Sequence, residues 1–129
     1  MPPRVLVVED ELALAQALAI RLRAAGFAVE LAASGLEGLR MATTSPPDVL
    51  LLDVRLPDID GLELHARLRS HPDHADLPVV FLSANVQDSA RQLALGQGAH
   101  AYLTKPYDPR EVVAALHGAI AARAARKET

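Results

Sequence analysis

Cysteine is absent from this 129-residue chain, which excludes disulfides and thiolate metal sites. Tryptophan is absent too. With only two Tyr and two Phe, the core has to be built from Ala, Leu and Val. No apolar run approaches the roughly 18 residues of a membrane span, so no membrane partner is expected. Basic excess is also missing. A net charge of -3 offers no electrostatic footprint for nucleic acid. The opening Met1-Pro2-Pro3-Arg4 lacks signal-peptide architecture and leads straight into a strand, so the expected compartment is the cytoplasm. Repeats, linkers and low-complexity segments are lacking. Half of the residues are hydrophobic, which argues against disorder, and the length suits one domain with one core. That domain is expected to fill 1–129, with a core over about 4–123 and a tail, 124–129, that frays.

What is present is a set of apolar runs that end in chemistry. Val5-Leu6-Val7-Val8 ends in Glu9-Asp10, and Val49-Leu50-Leu51-Leu52 ends in Asp53. Val79-Val80-Phe81-Leu82 ends in Ser83, and a short fourth run leads through Tyr102 to Lys105-Pro106. Val- and Leu-rich runs of this length read as strands buried on both faces, the pattern of a parallel sheet. Parallel strands present their C-terminal ends along one edge, where ligands bind. Three carboxylates, a hydroxyl and a lysine are thus expected to gather at one edge, an inventory suited to a divalent cation and a phosphoryl group.

Helix-like stripes alternate with the strands. Strand 1 is read over residues 4–8. A stripe of Leu12, Ala15, Leu18, Ala19 and Leu22 predicts helix 1, closed by Gly26. Phe27, Val29 and Leu31 alternate with smaller or polar residues, placing a half-exposed strand 2 at the sheet edge. Helix 2 follows Ser34-Gly35 and stops before Pro46-Pro47. Strand 3 spans 48–53, helix 3 starts at the cap Asp60 and ends near Ser70, and strand 4 spans 78–83. A weaker helix 4 covers 86–97, closed by Gly98, and strand 5 covers 99–103. Asp108-Pro109 caps and starts helix 5, with Val112, Val113, Leu116 and Ile120 inward and its end near Ala125. Five such units with right-handed crossovers form an α/β, doubly wound, five-stranded parallel sheet with helices on both faces. An edge strand 2 favours the flavodoxin-like order 2-1-3-4-5, whose switch point falls where Glu9, Asp10 and Asp53 lie.

Three carboxylates held close together raise one another's pKa unless a cation relieves them. Mg²⁺ takes oxygen ligands and keeps several waters, so this donor set suits it. Asp53 is the candidate nucleophile, since a carboxylate can hold a phosphoryl group as an acyl phosphate. Lys105 offers positive charge and Ser83 a hydrogen bond to the equatorial oxygens, and Ala84 leaves the approach open.

Taken in order, the motifs Val7-Val8-Glu9-Asp10-Glu11, Leu52-Asp53-Val54-Arg55-Leu56-Pro57-Asp58-Ile59-Asp60-Gly61, Leu82-Ser83-Ala84 and Tyr102-Leu103-Thr104-Lys105-Pro106 are highly specific. The chain resembles the receiver domain of a two-component response regulator, of the kind found in single-domain chemotaxis-type regulators. The resemblance implies that Asp53 takes a phosphoryl group from a sensor histidine kinase or histidine phosphotransfer protein. It implies that Glu9, Asp10, Asp53 and the Arg55 backbone carbonyl hold Mg²⁺ (or Mn²⁺). Ser83 and Lys105 would bind the phosphoryl oxygens, Tyr102 falls at the aromatic switch position, and Lys105-Pro106 falls at the family's cis peptide. Phosphorylation would pull Ser83 inward, move Tyr102 and remodel the helix 4–strand 5–helix 5 face, for a downstream protein target or an effector domain outside the chain. Such a protein is a switch that does chemistry only on itself. Arg55 and Asn85 occupy positions that influence phosphoryl lifetime in the family. Glu9 departs from the Asp common among relatives, and its longer arm still reaches a metal. The residues before Tyr102 are His100 and Ala101. The DNA-binding subfamily often carries acids there for a dimer through that face, and their absence argues against it.

Plainer roles are expected elsewhere. Glu11 favours the start of helix 1, and Asp58 is an exposed turn residue. His71 and His74, in a Pro-containing loop, are surface residues, and His65, His100 and His117 are surface or boundary residues. The Arg123, Arg126, Lys127 group is a solvated helix end. A haloacid dehalogenase-like phosphohydrolase would need an acid where Arg55 stands, and a flavodoxin-like carrier would not face a phosphate with Glu9-Asp10-Glu11. A receiver fixed in one state is the remaining alternative.

Overall fold

A computed structural model describes residues 1–84 and 87–127. Asn85 lies outside the described residues, as do Val86, the expected first residue of helix 4, and Glu128-Thr129 at the end of the expected frayed tail. The elements are β1 (Arg4–Val8), α1 (Leu12–Ala24), β2 (Ala28–Ala32), α2 (Gly35–Thr44), β3 (Val49–Leu52), α3 (Gly61–Ser70), β4 (Val79–Ser83), α4 (Asp88–Gly96), β5 (Ala101–Thr104) and α5 (Pro109–Lys127). All strand pairs are parallel, and the sheet order is β2-β1-β3-β4-β5. The doubly wound sheet expected from the sequence is the observed one.

The period-two geometry of a strand splits each apolar run between two cores. Val5 and Val7 face α1 and α5, where Leu18, Leu22, Val112 and Leu116 cover them. Leu6 and Val8 face the other layer, with Leu64 and Leu68 of α3 and Ala90 and Ala94 of α4. β3 is therefore apolar throughout, β1 everywhere but Arg4 and β4 everywhere but Ser83, whereas the edge strand β2 exposes Ala28 and Glu30.

Local signals start and stop the helices. Ser34 caps α2 by accepting from the Glu37 N–H at 3.2 Å, and Asp60 caps α3 by accepting from the Glu63 N–H at 2.8 Å. α1 and α4 both end on a glycine with positive φ, 98° at Gly26 and 97° at Gly98. In each case the next residue's N–H turns back to a carbonyl five residues earlier.

Four expectations are corrected. Leu12 is 64% exposed, because α1 begins there and its side chain precedes the part of the helix that lies on the sheet. His65 is completely buried and His74 nearly so. His65 sits on the inward stripe of α3 with Leu64 and Leu68, edge-on to Phe81 at 5.5 Å between centroids. His74 is tucked under the loop, its ring 4.6 Å from that of His71. Helix α5, expected to end near Ala125, runs to Lys127, and Arg123 (3.3 Å) and Lys127 (3.7 Å) both reach Asp76. Strand bounds shift by small amounts: β3 is Val49–Leu52 and β5 Ala101–Thr104.

Candidate functional site

The register of the central strands sets the site. Val8 pairs with Leu52, and the ladder continues one step further. There the Asp53 N–H donates to the Val8 carbonyl at 3.1 Å and the Glu9 N–H to the Ala32 carbonyl at 3.0 Å. Glu9, Asp10 and Asp53 therefore leave the sheet side by side, each offering a carboxylate oxygen within 4.8 Å of the others. On the other side, Ser83 pairs with Thr104, and the Ser83 carbonyl accepts the Lys105 N–H at 2.9 Å. That contact brings Lys105 over the cleft. The Lys105–Pro106 peptide is cis.

Lys105 Nζ donates to Glu9 Oε1 at 2.7 Å and to Asp53 Oδ2 at 3.0 Å. The Arg55 N–H donates to Asp53 Oδ1 at 3.2 Å, and the Glu11 N–H to Glu9 Oε2 at 3.1 Å. Glu9 and Asp53 are buried while Asp10 is exposed. The result is an open cleft of about 280 Å³ whose lining includes Glu9, Asp10, Asp53, Arg55, Ser83 and Lys105. Leu56, Pro57 and Ala84 complete one wall. Ser83 is fully buried beneath it. Tyr102 is not in the lining. It is 92% buried in the core, its ring 5.9 Å from Phe81.

Burial pushes the Glu9 carboxyl above its ordinary value. The charge of Asp53 adds to the rise, and hydrogen bonds from Lys105 and the Glu11 N–H offset only part of it. For Lys105, burial works against the charged form, but the bonds to Glu9 and Asp53 outweigh it and hold the ammonium above its usual range. One lysine thus fails to neutralise the acids at this edge. An all-oxygen donor set with surplus negative charge, open to solvent on one side, fits a hard divalent cation such as Mg²⁺.

Gly61 keeps the site compact. A Cβ there would run into the Asp53 carbonyl oxygen, and the Gly61 N–H donates to the Val54 carbonyl at 2.7 Å. Asp58 is more than a turn residue. Its carboxylate accepts from the N–H groups of Gly35 (2.8 Å), Leu36 (3.1 Å) and Ile59 (2.7 Å). Arg69 also has a role that composition does not reveal. Its guanidinium donates to the Leu77, Gln97 and Gly98 carbonyls, tying α3 to the end of α4.

A doubly wound α/β domain with an acidic, lysine-bridged cleft at its switch point is the class that fold and site define. The model of the response regulator receiver domain matches residues 5–117, and the chain belongs to that family. It is 45% identical over 112 residues to the transcriptional regulatory protein BaeR of Escherichia coli O6:H1, covering 87% of this chain and 45% of that protein. A putative response regulator from Chloroflexus aurantiacus superposes with a TM-score of 0.89 at 40% identity, over 94% of this chain and 99% of that one. A CheY-like receiver domain from Methanospirillum hungatei gives 0.88 at 26% identity over both whole chains. The chain spans about half the length of the curated relatives it matches. Among the described residues, no helix is long and apolar enough to cross a membrane.

Proposed function

We propose that Asp53 accepts a phosphoryl group from the histidine of a sensor kinase or phosphotransfer protein, and that the phosphorylated state is read by an output partner. The observation that carries this reading is the buried Asp53 carboxylate, 3.0 Å from Lys105 Nζ and beside Glu9 and Asp10, at the floor of an open cleft. An Asp53 oxygen attacks phosphorus. An O–P bond forms as the P–N bond to the donor imidazole breaks, and the electron pair leaves with nitrogen. Such transfer needs chiefly positioning and neutralisation of charge on the equatorial oxygens. Lys105 supplies one positive charge, and Ser83 a hydroxyl. Glu9, Asp10, Asp53 and the Arg55 carbonyl would hold Mg²⁺ or Mn²⁺, which when bound adds positive charge against the phosphoryl oxygens.

The switch runs along β4 and β5. Ser83 moves toward the phosphoryl group, and its carbonyl carries the Lys105 N–H with it. Tyr102, packed near Phe81, then takes up the vacated space, and the α4–β5–α5 face changes shape. Driving a 1:99 equilibrium to 99:1 takes about 5.5 kcal/mol of differential affinity. The output passes to a downstream protein or to an effector domain. Several of the relatives spanned to about half their length are, by name, transcriptional regulators.

The test is intact-mass analysis after incubation with acetyl phosphate, with and without Mg²⁺, beside Asp53→Ala. One Mg²⁺-dependent phosphoryl adduct, absent from the variant, is expected. An adduct that survives in Asp53→Ala would refute the assignment.

A further inference from the structure

The loop between Asp53 and Asp60 is anchored at two points. At its start, the Arg55 N–H is bonded to the Asp53 carboxylate, and Arg55, Leu56 and Pro57 line the cleft. At its far end, Asp58 turns away from the cleft and caps a helix from a different βα unit. Its two oxygens take the N–H groups of Gly35 and Leu36, the first two residues of α2. The Ser34 hydroxyl takes the Glu37 N–H of that helix, so the two side-chain caps divide the unpaired donors between them. The backbones interlock as well. A Cβ on Gly35 would run into the Ile59 carbonyl and side chain. The cap holds Asp58 in its charged form. Its slight burial alone would raise the carboxyl pKa, and the Leu36, Ile59 and Gly35 N–H groups overcome that and lower it.

We propose that Asp58 is a positioning residue for the metal-binding edge: by pinning the loop to the N-terminus of α2, it holds Arg55 and its neighbours against Asp53. The inference rests on the metal and phosphoryl reading of the cleft. Outer partners that orient ligands govern metal affinity out of proportion to their own contacts. The anchor is one a loop can lose without disturbing the sheet.

The experiment is a Mg²⁺ titration at constant ionic strength on the whole chain, following the Arg55 amide by NMR, in wild type, Asp58→Ala, Asp58→Asn and Ala42→Gly. Ala42→Gly weakens α2 near its C-terminal end, away from the Gly35 and Leu36 N–H groups that Asp58 caps, so it reports what loss of helix stability does by itself. In Asp58→Ala the Mg²⁺ midpoint is expected to rise about tenfold. Asp58→Asn, which keeps one acceptor, is expected to fall between it and wild type, and Ala42→Gly to stay at the wild-type midpoint despite a lowered Tm. An unchanged midpoint in Asp58→Ala, or a shift matched by Ala42→Gly, overturns the inference, as does a wild type that binds no Mg²⁺. A wild type that binds Mg²⁺ yet forms no phosphoryl adduct sinks the phosphoryl reading and leaves this one standing.

Discussion

Lys105 is bonded more closely to Glu9 than to Asp53, at 2.7 Å against 3.0 Å. The lysine at this edge is therefore shared, and its first partner is Glu9 rather than Asp53. Both carboxylates are nearly out of water, so the crowding of charge is felt at low effective dielectric.

Glu9→Gln keeps an acceptor for Lys105 and removes one of the crowded charges. The Glu9 carboxyl titrates higher in the folded protein than in the unfolded chain, so the folded state holds that proton more firmly. Metal-free stability therefore falls as pH rises through the unfolded value near 4.5 and reaches its floor above the raised folded value. At pH 7 without metal, Glu9→Gln is expected to melt a few degrees higher, on the scale of about 1 kcal/mol. Its Mg²⁺ affinity should fall about tenfold or more. Thermal melts with and without Mg²⁺ decide this, and a lower metal-free Tm in the variant would refute the crowding argument.

Lys105→Met separates the lysine's two duties. Without the ammonium, Glu9 and Asp53 face each other uncompensated, and metal-free stability should drop by about 2 kcal/mol, below the cost of breaking a fully buried pair because the lysine keeps some exposure to water. The cation that competes with Mg²⁺ is gone, so Mg²⁺ should bind more tightly. Phosphoryl uptake should nevertheless slow about 100-fold, the usual cost of losing one charge-stabilising donor. Calorimetric Mg²⁺ titration beside adduct kinetics reads both effects. Weaker Mg²⁺ binding would show that Lys105 organises the acids rather than opposing the metal.

Gly61→Ala tests how tightly α3 closes on the site. The new Cβ meets the backbone of Asp53, which cannot move aside without shifting the end of β3. A loss of about 2–3 kcal/mol is expected, with adduct formation failing alongside. Gly26→Ala is the comparison: its Cβ meets open space, and only the φ of 98° opposes it, for about 1–2 kcal/mol. Urea unfolding of the two variants should rank them in that order, with adduct formation intact in Gly26→Ala.

The sheet and its chemical edge were legible because the apolar runs of β1, β3 and β4 are each bounded by the residue that carries the chemistry. A strand end is a position that sequence marks well. Asp58 was not legible as a cap, since its partners Gly35 and Leu36 lie more than 20 residues away and meet it only through the fold. His65 did carry a signal. Gly61, Leu64, His65 and Leu68 follow the three-four spacing of a buried helical face, and the residue's polarity masked it. His74 had no such pattern, because a loop has no period to read. The reach of α5 to Lys127 depends on Asp76, which lies in the loop before β4 and far from α5 in sequence.

His65 gives the acid limb of stability its shape. Neither ring nitrogen has a hydrogen-bond partner among the described residues, nor has Gln97 Oε1. Burial, aided by the Arg69 guanidinium, pushes the imidazole down to about 4, against 6.5 for a free ring. A depressed folded pKa means that the unfolded chain binds the proton more readily. Stability is then fully present above about 6.5 and is lost as pH falls toward about 4. The difference amounts to about 3 kcal/mol across that window. In His65→Leu, which fills the same apolar space beside Phe81 without a titrating ring, urea midpoints should fall less than those of the wild type as pH drops across that window. Parallel declines in both proteins would place the acid sensitivity in the carboxylates instead.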